Sequence, residues 1–272
     1  TSTGLKMMLD LLHRSRMQFP GMALGFVHRL ADEALRHVRD RAVGGKSLLH
    51  YDQVQRRIAG LQASMTMASA MCLHAAEHAK LHQDLAKDGL TANAIKTVIT
   101  DRMQAGAQSV LQLFGGAGYK LDHLAGRSVV DSRPFQIFEG SNDILYEQVG
   151  AAVLQGMRRA KEAHLGAFLA ASDWAQRATE QVRGVLDVRL DATLPQRRVV
   201  DLGRVVSHLV TLEMVEELGS RGYPHERIEQ ARAHLRAEVE RWFAALRSGH
   251  TAGPIDDAVA SGSWLTFMNT NG

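Results

Sequence analysis

Two segments of this chain of 272 residues carry residue types that could do chemistry. The first is Gln136-Ile137-Phe138-Glu139-Gly140-Ser141-Asn142-Asp143, in which Glu139 stands between two apolar residues and a glycine. Burial makes a carboxylate a stronger base, which would suit such a group to abstracting a proton. Taken alone, the simpler reading is an acid near a helix N-terminus, favoured there by the helix dipole. The second is Gln112-Leu113-Phe114-Gly115-Gly116-Ala117-Gly118-Tyr119. Three glycines in four residues let the backbone turn sharply and approach a ligand closely, and exposed amide N–H groups there could meet anionic oxygens. Taken alone, this segment reads as a plain helix C-cap.

The elements that must position these segments are helices. Residues 4–18 are amphipathic (Leu5, Met8, Leu9, Leu12), and Pro20 suits a helix restart. Apolar residues return at helical spacing from Met22 to about Arg41, where Gly44 and Gly45 end the helix in a loop. A long helix is expected from about Asp52 to Lys87, stopped by Asp88-Gly89, with Thr91 as N-cap of the next, over 92–113. A short amphipathic piece leads to Ser132, and Pro134 disfavours helical backbone at Arg133. Ser141 or Asn142 would cap a helix running to about Lys161, and two more are expected over 196–219 and 225–247. The tail from Gly249 is rich in small residues and expected to be poorly ordered. Nothing alternates with a period of two, so no sheet is expected. The reading is all-α: an up-and-down bundle over 1–157 with an added helical C-terminal extension over 158–272.

Composition excludes several classes. With 45% apolar and 22% charged residues the chain is ordinarily globular, and it holds no apolar run of about 18 residues that could span a membrane. The net charge of +3 is spread over helical faces among acids, so nucleic acid is not an expected partner. One cysteine, Cys72, cannot form an internal disulfide; it reads as a small buried hydrophobe in a protein of the cytoplasm. His74, His78 and His82 recur every four residues on one helical face, but lack an added acid or cysteine at ligand spacing, so no metal site is expected. Met65, Met67 and Met71 read as core filler. Leu202, Val205, Val206, Leu209 and Leu212 form one apolar face, expected to pack on the bundle or a twin subunit rather than on a membrane.

In order and spacing, residues 10–155 resemble the acyl-CoA dehydrogenase family. Arg16 with Gly25 resembles the opening of its carboxyl-terminal domain. Arg41-Ala42-Val43-Gly44-Gly45-Lys46 resembles its arginine-x-x-phenylalanine-glycine-lysine loop. Val54-Gln55 and Ile58-Ala59 match the following helix, and Ala94 with Lys96 the helix before the glycine loop. Gln112 to Tyr119 is nearly the family pattern, and Asp131-Ser132-Arg133 with Ile137 to Ser141 resembles the stretch bearing the catalytic glutamate. The sequence departs from the pattern at Gly44, where an aromatic is expected, at Asp52 in place of glutamine, and at Val130 in place of arginine.

The resemblance implies a flavoprotein that oxidises acyl-CoA to trans-2-enoyl-CoA with FAD as cofactor. It makes Glu139 the base for the α-proton. It places Arg41 at the FAD pyrophosphate, and Gln112, Gly115 and Gly116 at the adenosine part of an FAD bound largely by a neighbouring subunit. Ser141 and Asp143 would also touch the cofactor, while Arg16 and Phe138 would support the substrate side. It further implies a homodimer or homotetramer, with an electron-transfer flavoprotein as acceptor. The family's amino-terminal helical domain and middle β-domain are not in this sequence. The chain is therefore expected to be a carboxyl-terminal fragment with little activity by itself. An acyl-CoA oxidase relative and a non-catalytic helical assembly module are the alternatives.

Overall fold

The computed structural model describes residues 2–191 and 193–248, so the tail from Gly249 lies outside the described residues. Helices dominate, as the composition requires. They are α1 (Ser2–Arg16), α2 (Phe19–Asp40), α3 (Asp52–His78), α4 (Gly89–Phe114), α5 (Leu124–Ser132) and α6 (Asn142–Ala160), followed by α7 (Leu165–Ala170), α8 (Gln176–Gln181), α9 (Gln196–Ser220) and α10 (His225–Ser248).

Helices α2, α3, α4 and α6 form the bundle, with the stripe Ala23, Val27, Leu30, Ala34 and Val38 turning α2 inward. Helix α9 packs along α6, α3 and α4, and α10 covers α9 and α3. The five apolar residues Leu202, Val205, Val206, Leu209 and Leu212 are all fully buried in these contacts. Two glycines make the α6–α9 approach possible. A Cβ at Gly203 would lie 1.8 Å from Tyr146 O, and one at Gly150 would lie 2.1 Å from Val199 O. The two backbones therefore touch where a side chain would otherwise hold them apart. One apolar core runs without a break from Met17 to Leu246.

Beyond the start of α4, whose N-cap is Asp88 and not the expected Thr91, four sequence expectations are corrected. Helix α3 stops at His78 instead of continuing to Lys87. The stop comes from α1: Arg14 donates to the carbonyls of Ala79, Lys80 and Gln83, Asp10 accepts from Leu85 N at 2.7 Å, and His13 Nδ1 lies 2.7 Å from Leu85 O. These bonds draw residues 79–88 into a loop and bury Leu85. As a result His82 leaves the helical face of His74 and His78, and among the described residues no group of three His, Cys, Asp or Glu could hold a metal ion. Second, a two-strand hairpin follows α2, with Ala42–Val43 pairing Lys46–Ser47. Gly44 and Gly45, with φ of 59° and 80°, supply the two left-handed residues such a tight turn requires. Third, Arg133 is helical (φ −62°, ψ −43°) despite Pro134, which sits in the first turn of a short 3-10 helix where no N–H is missed. Fourth, Cys72 is half-buried rather than buried, and burial raises its thiol pKa. Met67 and Met71 are fully buried, as core residues should be.

Candidate active site

The Glu139 loop is built by the polar face of α4. On the first half of this helix Asn93, Lys96, Thr97, Thr100 and Asp101 are spaced so that they share one side. Lys96 is fully buried and donates to Gly140 O and to Asn142 Oδ1, both at 2.8 Å. Asn142 Nδ2 in turn donates to Asp101 Oδ1 at 2.7 Å, and Tyr146 Oη donates to Asp101 Oδ2 at 2.8 Å. Gln136 Nε2 closes the network on Asp101 Oδ1 at 2.6 Å. Burial and the adjacent Asp101 carboxylate push the Tyr146 phenol above its ordinary range, which keeps it a donor. Burial, with Arg16 nearby, pulls the Lys96 ammonium down to about 8.

Arg16 is buried at the end of α1, not on the surface. Its Nε and Nη2 donate to Glu139 O at 3.1 and 2.8 Å, and its Nη1 donates to Asn93 Oδ1 at 2.7 Å. Burial lowers the Arg16 pKa, and the Glu139 charge partly offsets this.

Two cations thus hold two consecutive carbonyls, Arg16 that of Glu139 and Lys96 that of Gly140. The need for such a clamp is visible in the backbone. Glu139 has φ of 58°, a left-handed conformation that disfavours a residue with a Cβ, and Gly140 has φ of 98°. A Cβ at Gly140 would sit 3.0 Å from Leu145 Cδ2 and 3.3 Å from Arg16 Nη2. The strained pair aims the Glu139 side chain so that Oε2 is buried without a hydrogen-bond partner. A buried carboxylate oxygen left without a donor is suited to taking a proton from something placed against it.

Phe138 precedes it, half-exposed, in an aromatic cluster with Phe19 (centroids 5.6 Å apart) and Phe135 (5.2 Å). An open apolar groove of about 650 Å³ runs past Val129, Val130, Pro134, Ile137 and Phe138. Ser141 occupies the N-cap position of α6, but its side chain makes no capping bond. Asp143 accepts from Arg204 Nη2 of α9 at 2.8 Å, and Arg204 lies over the rings of Tyr146 and Trp242.

The other residues singled out in the sequence lie elsewhere. Arg41 follows α2 at the end away from Phe19, about 33 Å along a helix of 22 residues. The ring of Phe114 stacks on His37 at 4.2 Å, which brings the Gly115 turn to that same end. Gln112, Gly115 and Gly116 are exposed, and neither glycine has an atom within 4 Å of where a Cβ would be. Gly115 has φ of 59° and caps α4. The structure therefore gathers Arg16, Phe138, Glu139, Ser141 and Asp143 at one end of the bundle. It gathers Arg41, Gln112, Gly115 and Gly116 at the other.

Sequence reasoning missed the positioning roles of Asn93, Asp101, Gln136, Asn142 and Tyr146. For Asn93 and Asp101 the signal that could have found them is the one-sided polar stripe on the first half of α4.

A family model described as the C-terminal domain of acyl-CoA dehydrogenase matches residues 2–154. The probable acyl-CoA dehydrogenase FadE25 of Mycobacterium tuberculosis is 30% identical over 154 residues, which are 56% of this chain and 39% of that protein. The cyclohex-1-ene-1-carbonyl-CoA dehydrogenase of Geobacter metallireducens is 28% identical over 152 residues, 56% of this chain and 40% of that protein. The chain thus spans about two fifths of the length of the curated relatives it matches. A Bacillus anthracis acyl-CoA dehydrogenase solved with FAD shares the fold at a TM-score of 0.63 and 15% identity, covering 96% of this chain and 51% of that one.

Proposed function

The chain belongs to the acyl-CoA dehydrogenase family, and on that premise we propose that it is the part of a flavin-dependent acyl-CoA dehydrogenase that carries the base. The observation that carries this reading is the Glu139 carboxylate, buried at Oε2 without a partner on a loop clamped by Arg16 and Lys96. In this reading Glu139 takes the α-proton of an acyl-CoA thioester as the α–β double bond forms. FAD, when bound, supplies the acceptor for the β-hydrogen and its electron pair. Arg16 and Lys96 hold the carboxylate in place, and Phe138 keeps water from it.

The open cradle at Gly115 and Gly116, with Arg41 at the same end, suits the pyrophosphate and adenosine part of such a cofactor. That end lies a helix length from Glu139, so one copy cannot bring both sets of residues to one flavin. We therefore assign Arg41, Gln112, Gly115 and Gly116 to the cofactor of a second copy. Ser141 and Asp143 are assigned to the chain's own.

The test is the visible flavin spectrum of the purified full-length protein titrated anaerobically with acyl-CoA thioesters. Wild type should bleach, and Glu139→Gln should hold flavin yet bleach at least about 100-fold more slowly. A protein that holds no flavin would instead support a helical assembly module, and rapid reoxidation by oxygen an oxidase. Bleaching at the wild-type rate in Glu139→Gln would remove the base assignment.

A further inference from the structure

Away from the Glu139 loop, α3, α4 and α10 enclose a cavity of about 400 Å³. Its wall carries three guanidinium groups: Arg56 and Arg57 from α3, and Arg102 from α4. Against them the lining holds one carboxylate, Glu238 of α10. Arg102 is largely buried. Its Nε donates to Ser64 Oγ at 3.1 Å, but its Nη1 stays 3.9 Å from Glu238 Oε1. Glu238 also faces Arg241 at 3.4 Å, so its charge is shared. Neither Arg56 nor Arg57 has an ion-pair partner among the described residues.

Two further features belong to the same lining. His234 of α10 has its Nε2 buried without a hydrogen-bond partner, which is uncommon for a polar atom in a folded chain. Burial and the adjacent Arg102 hold this imidazole down to about 4, so it is neutral at pH 7 and free to donate or accept one bond. Gly60, on the wall, has no atom within 4 Å of where its Cβ would be. The space is therefore real, and its size falls in the range of small-ligand clefts. Three guanidinium groups against one carboxylate leave two positive charges around it, which a dianion would match.

We infer that this cavity binds the phosphoryl group of a small molecule. The planar forks of Arg57 and Arg102 suit its oxygens, and the His234 ring lines the same space. None of these side chains belongs to the Glu139 network. The ligand would touch both the bundle, through α3 and α4, and the extension, through α10, and so would hold the two together.

The test is thermal unfolding of the full chain at fixed ionic strength and pH 7.5, titrated separately with inorganic phosphate, ADP and acetate. Phosphate or ADP should raise the unfolding temperature saturably, while acetate should not. A response to phosphate identifies a free oxyanion as sufficient, and a response to ADP alone identifies the phosphoryl end of a larger molecule. Arg57→Gln should weaken the apparent affinity at least about tenfold, the cost expected for a charge-assisted contact to phosphate. Gly60→Leu, which fills the cavity without removing charge, should abolish saturation. Arg236→Gln, on the exposed side of α10, should change nothing. No saturable response to either phosphate or ADP, or one undiminished in Arg57→Gln, would overturn the inference.

Discussion

A carbonyl held by two bonds from one guanidinium depends on the shape of its donor, not only on its charge. Arg16 reaches Glu139 O with two nitrogens and Asn93 with a third. Lysine at this place keeps the charge but cannot present a rigid fork. Arg16→Lys should therefore let the left-handed Glu139 relax, lowering the rate of flavin reduction about tenfold with little change in KM. Stopped-flow reduction measures the split; an unchanged rate would mean that Arg16 serves only the fold. At this scale the nearness of Arg16 to the Glu139 loop was legible, because each lies in a stretch similar to a family pattern. The sequence did not reveal the Asp101 hub. The partners of Asp101 come from positions 136, 142 and 146, and nothing local to Asp101 says that a distant loop will close over it.

Among the elements, the α6–α9 crossing is the contact with least room for change. A Cβ at Gly203 would overlap a backbone oxygen, which cannot swing aside as a side chain can. Gly203→Ala should cost at least about 3 kcal/mol in urea unfolding. Gly25→Ala, also within a helix but with nothing within 4 Å, should instead add about 0.5–1 kcal/mol. Equal effects at the two positions would show that the two helices can part at little cost. The ends of α9 and α10 were legible to within about a residue, since Pro195 and the Gly222-Tyr223-Pro224 break punctuate them locally. The end of α3 was not, because residues 79–88 contain neither glycine nor proline and their apolar spacing suits a helix. The helix is broken there by bonds from α1, some 70 residues earlier in the chain.

For the molecule as a whole, two half-hidden histidines contribute to how it responds to acid. Burial holds His74 and His234 down to about 4, whereas histidine in an unfolded chain takes its proton near pH 6.5. Between those values the unfolded chain binds more protons, so stability is full above about pH 6.5 and falls as the pH drops toward 4. The loss should be on the order of 1–3 kcal/mol per histidine. Urea unfolding in phosphate-free buffer at pH 7.5 and 5.0 measures it. A double variant, His74→Gln with His234→Gln, should lessen the dependence, the rest belonging to His208 and His37, whose pKa values burial also lowers, and an unaltered slope would assign it to other groups. The single core that α9 completes also has a consequence in time. Helix α6 ends at residue 160 and α9 at residue 220. At synthesis rates of about 5–20 residues per second, the ribosome needs about 3–12 s to make the 60 residues between those ends. During that interval the side of α6 that meets Val199 and Gly203, at Gly150 and the Tyr146 backbone, has no α9 to cover it. A nascent chain paused there would display to chaperones and to its neighbours the surface that the finished protein hides.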